Sequence, residues 1–146
     1  MAAAGFRSAA LVLACAACAT VAIDQRTFEG TSWRETAVNG HATPVESVGY
    51  RMHLKNSRFS GGFGCNSMGA EYRFAGNQMM IGKTEGGQFH VGWIMQTERD
   101  CSDRPDGPFE GWAWAILQHP MMVRFHGARR LTLSNSAGSI ELERIP

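Results

Sequence analysis

The sequence predicts an α+β domain that is mainly antiparallel β, a small barrel- or roll-like sheet of about eight strands with one helix packed on it. Three observations lead there. Short apolar runs alternate with polar residues at period 2 along most of the chain. The 17 glycines fall largely between those runs, where turns belong. One late stretch alone changes to the 3.6-residue period of an amphipathic helix.

The elements follow in order from Phe28. Trp33 to Val38 reads as a strand, and Asn39-Gly40 as a hairpin turn, because both residues tolerate positive φ. His41 to Val45 reads as the return strand, weakened by Pro44, which has no N–H to give to a ladder. Tyr50, Met52 and Leu54 alternate with Arg51, His53 and Lys55, which predicts one buried and one wet face. Asn56-Ser57 turns the chain into a strand from Arg58 to Gly62. Tyr72 and Phe74 alternate next, Gly76-Asn77 turns, and Gln78 to Thr84 returns. Gln88 to Met95 reads as one further strand.

The period then changes. Phe109, Trp112, Ala113, Ile116 and Leu117 keep the i, i+3, i+4, i+7, i+8 spacing of a helix with one apolar stripe. Asp106 is the expected cap, Pro108 suits the first turn, and Pro120 stops the helix. Val123 and Phe125, Leu131 and Leu133, and Ile140 and Leu142 resume the strand pattern, with a turn over Asn135 to Gly138.

Residues 1–23 are a different material. Arg7 is the one charge there, and Ser8 to Ile23 has none. The stretch is too short and alanine-rich to span a bilayer comfortably and reads as a secretory signal. Cys15 and Cys18 stand at its end, after small and aliphatic residues, as in a bacterial lipobox. Cys15 has the better preceding residues, Cys18 the better apolar length. The alternative is plain cleavage after Ala19 or Ala22. Residues 24–27 read as a short tether and 28–146 as the domain. A lipid on Cys18, followed by Ala19 rather than aspartate, implies outer-membrane sorting; without a lipid the protein is secreted to the periplasm.

Composition narrows the function classes. A chain of 146 residues is long enough for one domain with its own core. A formal net charge of +1 without a basic stripe argues against nucleic-acid binding. Cys65, in Ser60-Gly61-Gly62-Phe63-Gly64-Cys65-Asn66, invites four readings. A nucleophile needs a nearby base, and the 5 histidines sit at outward strand positions or beside turns. A metal site lacks CxxC or paired-histidine spacing, and the 8 methionines read as core filler. A phosphate loop lacks its Gly-Lys-Ser/Thr end. A disulfide remains: Cys65 and Cys101 are the two cysteines left after export, in an oxidising compartment. No catalytic residue, metal or cofactor is expected.

Several motifs, taken together, resemble the META domain, the HslJ-like family. Phe28-Glu29-Gly30-Thr31-Ser32-Trp33 resembles its opening, Val38-Asn39-Gly40 the turn that follows, and Gly64-Cys65-Asn66 its glycine-cysteine-asparagine core. Tyr72, the segment Thr97 to Cys101, Glu110, Leu131 to Leu133 and Ile140 to Arg144 continue the resemblance in order. Ala70, Met68 and Glu98-Arg99-Asp100 depart from the usual pattern. The resemblance implies a small β domain with one helix, in bacterial envelope proteins tied to stress response and antibiotic tolerance, with no established catalysis.

Two readings of function stay open. In one, a non-enzymatic envelope protein, membrane-held by its N-terminal lipid, binds a protein partner through an exposed aromatic. Trp93, Trp112 and Trp114 are the candidates; Trp112 lies on the apolar helix stripe and Trp114 off it, so Trp114 is the expected contact. In the other, a slot between sheet and helix carries a lipid or other small apolar ligand.

Overall fold

The structure is a computed structural model that describes residues 22–45, 49–105 and 107–146. The leader, with Cys15 and Cys18, and the expected cap Asp106 lie outside the described residues. After a short 3-10 turn at Gln25–Thr27 come β1 (Thr31–Val38), β2 (His41–Ala42), β3 (Tyr50–Lys55), β4 (Arg58–Phe63), β5 (Ser67–Ala75) and β6 (Gln78–Glu85). Then follow β7 (Gln88–Val91), β8 (Met95–Gln96), α1 (Gly107–Leu117), β9 (Met121–Phe125), β10 (Arg130–Asn135) and β11 (Gly138–Ile145).

All the strand pairs are antiparallel. Strands β6, β9, β10, β11, β1, β3, β4 and β5 join edge to edge in that order, and β5 pairs β6 again, so these strands close a ring. Closure hides most of the backbone edge that an open sheet would present. The seam is short at one place: β6 meets β9 through Gln78↔Met122 and Met79↔Met121 alone.

The period-2 signal is realised as expected. In β3, Tyr50, Met52 and Leu54 are buried while Arg51, His53 and Lys55 are exposed. The interior is filled by Tyr50, Tyr72, Phe28, Phe59, Phe63, Met52, Leu54 and Met79, among others. This core is drawn from residues between Phe28 and Leu142, so the described part of the chain carries its own hydrophobic interior.

Three expectations change. The return strand after Asn39-Gly40 is only His41–Ala42; Thr43 N still donates to Thr36 O at 3.0 Å, and Pro44 then ends the ladder. The run Gln88 to Met95 is two strands, not one. Gly92, at φ 84°, turns the chain off the β6 edge, and Met95 and Gln96 pair with β5 instead. Phe125, expected inward by alternation, is 43% exposed, because it ends β9 beyond the last β6 pair; its ring is tilted against that of Phe28 with centres 5.7 Å apart.

The ring has two unlike ends. One carries α1, which contacts β1, β4 and β11 and buries Ala113, Ile116 and Leu117. The other carries the β3–β4, β5–β6 and β9–β10 turns and the point where the chain comes in, with Ile23 N donating to Gly76 O at 2.8 Å.

Candidate functional site

The glycine-flanked loop of Cys65 lies at the helix end, between β4 and β5. The glycines are there because backbone crowds backbone. A Cβ on Gly61 would sit 2.5 Å from Arg51 O, and one on Gly49 would sit 2.5 Å from Gly64 O. Neither neighbour is a side chain that can swing away, so only glycine fits at either position.

Cys65 and Cys101 form a disulfide with their Cα atoms 6.1 Å apart and 36 residues apart in sequence. Closing a loop of that length stabilises by about 4 kcal/mol in the chain-entropy account. Beside the bridge, Asn66 ties three segments together. Its backbone N–H and Nδ2 donate to the two carboxylate oxygens of Glu110 at 2.9 and 2.7 Å. Its Oδ1 accepts from Thr97 Oγ1 and Arg99 N, both at 2.8 Å. Glu110 lies in the first turn of α1, where a carboxylate also meets the positive end of the helix dipole. The disulfide and this side chain therefore fix the β4–β5 loop, the segment before the helix, and the helix itself. Asn66 and Glu110 are each legible in the sequence, but their contact spans 44 residues and has no local signal.

The arrangement offers little chemistry of its own. Cys65, Cys101 and Glu110 bring their ligand atoms within 4.8 Å of one another, but the two sulfurs are bonded to each other and have no lone thiolate to give a metal. Four of the five histidines have other partners. His53 Nδ1 is 2.7 Å from Ser32 Oγ, His126 Nε2 is 2.9 Å from Thr132 Oγ1, His41 stacks on Trp112, and His90 stacks on Trp93.

The tryptophan expectation needs correcting. Trp114 is partly buried and packs against the core, so it does not stand free as a partner contact. Its position off the helix stripe places it on a second packing face. The exposed tryptophan is Trp93, 49% exposed, with Lys83 Nζ 6.0 Å from its ring centre and Met95, 68% exposed, two residues on.

Two glutamates were missed in the sequence. Glu35 is fully buried, on the inward face of β1 with Trp33. Neither carboxylate oxygen has a hydrogen-bond partner. Desolvation therefore pushes its carboxyl well above the ordinary glutamate value, which favours the neutral acid in the buried form. Its inward parity is legible in Thr31-Ser32-Trp33-Arg34-Glu35; what the parity cannot tell is that no donor meets it. Glu29 is the opposite case. It accepts from Tyr72 Oη at 2.7 Å, Ser57 N at 2.8 Å and Asn56 N at 2.6 Å. The Tyr72 hydroxyl, ahead of the two backbone donors, holds its carboxyl below the usual value, while burial and the same carboxylate push the Tyr72 phenol up.

The fold and this site define a class: a closed antiparallel β ring, capped by one helix that a disulfide and a buried asparagine lock in place. The META domain model matches residues 26–144, and the chain belongs to the META domain family. Two structures solved by NMR share the fold. One superposes with a TM-score of 0.65 at 13% identity, covering 83% of this chain and 94% of the other. A protein from Burkholderia xenovorans superposes with a TM-score of 0.61 at 19% identity, covering 99% of both chains. A search of curated proteins finds no match.

Proposed function

We propose that this META-domain protein is a non-enzymatic component of the bacterial envelope, exported by residues 1–23, held at the membrane through a lipid on Cys18 or Cys15, and acting by binding a partner. One observation carries the reading. The two cysteines of the domain, Cys65 and Cys101, are joined across the fold, which suits an oxidising compartment and leaves neither as a free thiol for catalysis. The filled interior supports binding at the surface over carriage of an apolar molecule inside. Trp93 with Met95 replaces Trp114 as the apolar anchor for a protein partner. The stress role is the family expectation and belongs to the same proposal.

Intact mass spectrometry of the membrane-extracted protein, with and without reductant, tests this. The expected mass is that of a chain beginning at Cys18 or Cys15, plus diacylglycerol and an acyl chain, gaining two hydrogens on reduction. A chain without acyl mass removes the anchor. A mass unchanged by reductant removes the oxidising compartment.

A further inference from the structure

The formal charge of +1 hides a strong asymmetry. Lys55 and Arg58 flank the β3–β4 turn, while Arg129, Arg130 and Arg144 lie at the β9–β10 turn and the end of β11. All are at the end of the ring opposite α1. The acids nearby are already occupied. Asp24 pairs with Arg26 at 2.8 Å, Glu143 with Arg34 at 2.7 Å, and Glu29 is taken by Tyr72, Asn56 and Ser57. Glu143 lies within electrostatic reach of Arg129 and Arg130, and Glu71 of Arg58, but among the described residues Arg129 and Arg144 form no ion pair.

These two arginines line an open cleft of about 470 Å³, together with Gly30, Thr31, Ser32 and Pro146. Their placement is set by backbone: Arg144 N donates to Arg129 O at 2.7 Å, and Arg129 Nη2 reaches Arg144 O at 3.4 Å. The backbone pairing sets the two residues side by side, with the Arg129 guanidinium held against Arg144 O, and arginine matches the oxygens of a phosphodiester better than lysine does. Phe125, 43% exposed at the end of β9 just before that turn, adds an apolar group of the kind that inserts among headgroups.

The chain also comes in at this end. Ile23 is fixed to Gly76, and Cys18 stands five residues before it. An extended chain spans roughly 3.5 Å per residue, so an acylated Cys18 lies within about 18 Å of Ile23. A tether that short turns this end, and not the helix end, toward the membrane. We propose that the open end of the ring docks on an anionic phospholipid surface, with lipid phosphates seated between Arg129 and Arg144. The orientation rests on the anchored reading of the protein; the headgroup site is a property of the folded domain alone.

The test uses residues 22–146, which carry their own core, without the lipid, in sedimentation with vesicles of phosphatidylglycerol and phosphatidylethanolamine or of phosphatidylcholine. The expected result is binding to the anionic vesicles that weakens with salt. Replacing both arginines, R129A/R144A, should weaken it about thirtyfold, taking about 1 kcal/mol for each cation near the surface. K83A, at the other end of the ring, should bind as the parent does, and all variants should melt alike. Equal partitioning between the two vesicle types, or equal loss in K83A, overturns the proposal. So does a free-phosphate site: inorganic phosphate shifting the melting point, without vesicle binding, assigns the cleft to small anions. Failure of the anchor shows instead in the intact mass, and leaves the vesicle result standing by itself.

Discussion

The two ends of the ring are held in different ways. At the helix end the polar groups are turned on the protein itself: a disulfide, and Asn66 shared among Glu110, Thr97 and Arg99. At the other end the turns are short, the acids are satisfied, and the arginines face water around a cleft. The glutamates of β1 and its approach repeat the contrast. Glu29, at the open end, is saturated with donors that hold its carboxyl low; Glu35, toward the capped end, has no hydrogen-bond partner and burial pushes its carboxyl up. Groups satisfied internally hold a fold together, whereas unsatisfied surface cations are available to a partner. The capped end is accordingly the more tightly locked one, with Trp93 and Met95 exposed on its side, and the open end is the one whose cations are free.

The largest way to break the contrast is to cut the bridge. C65A/C101A should lower stability by about 4 kcal/mol in urea denaturation, yet leave vesicle binding by the open end unchanged. A loss of binding as large as the loss of stability would show that the ends are not separate.

Next comes Glu35. The folded protein keeps its proton while the unfolded chain releases it above the ordinary value of 4.5, so stability falls as pH rises from there toward the raised folded value. Each pH unit in that window should cost about tenfold in the folding constant. E35L should remove the slope and raise stability at pH 8 by roughly 3 kcal/mol, as replacing a buried charge-bearing group by a packed apolar one can. E35Q should remove the slope but gain less, since its amide is also unsatisfied.

Removing the acceptor of the asparagine clamp is a smaller perturbation. E110A leaves Asn66 N and Nδ2 without their carboxylate and should cost about 2 kcal/mol, with faster hydrogen exchange at Asn66 and in the first turn of α1. The smallest effect is expected at Glu29. Its carboxyl is held below the usual value, so its contribution is present above the unfolded pKa and is lost as pH falls through the folded one. E29Q should flatten that acid limb and cost about 1 kcal/mol at neutral pH in the same urea titration.

Much of this molecule was legible in its sequence, for identifiable reasons. Tyr50, Met52 and Leu54 announce β3 because a closed sheet has one dry face, and the ring's interior is where that face goes. The helix stripe of Ala113, Ile116 and Leu117 is likewise a local period read directly as burial. The family motifs around Trp33 and Cys65 also point to the domain that residues 26–144 match. What escaped was non-local. Gly92 looks like any glycine within an apolar run until the β6 and β5 edges are both in place to receive the strands on either side. Trp114 seemed free because a helix wheel shows the face turned from the main stripe, not what the rest of the chain lays against it. Arg129 and Arg144 are 15 residues apart and become a pair only through the β10–β11 register.

Hydrogen exchange of the domain with and without anionic vesicles tests the separation of the two ends most directly. The account predicts new protection in 22–30, 125–130 and 143–146, and unchanged exchange in 60–68 and 97–112. Protection concentrated over the disulfide loop and α1, with the open end still exchanging freely, would contradict it.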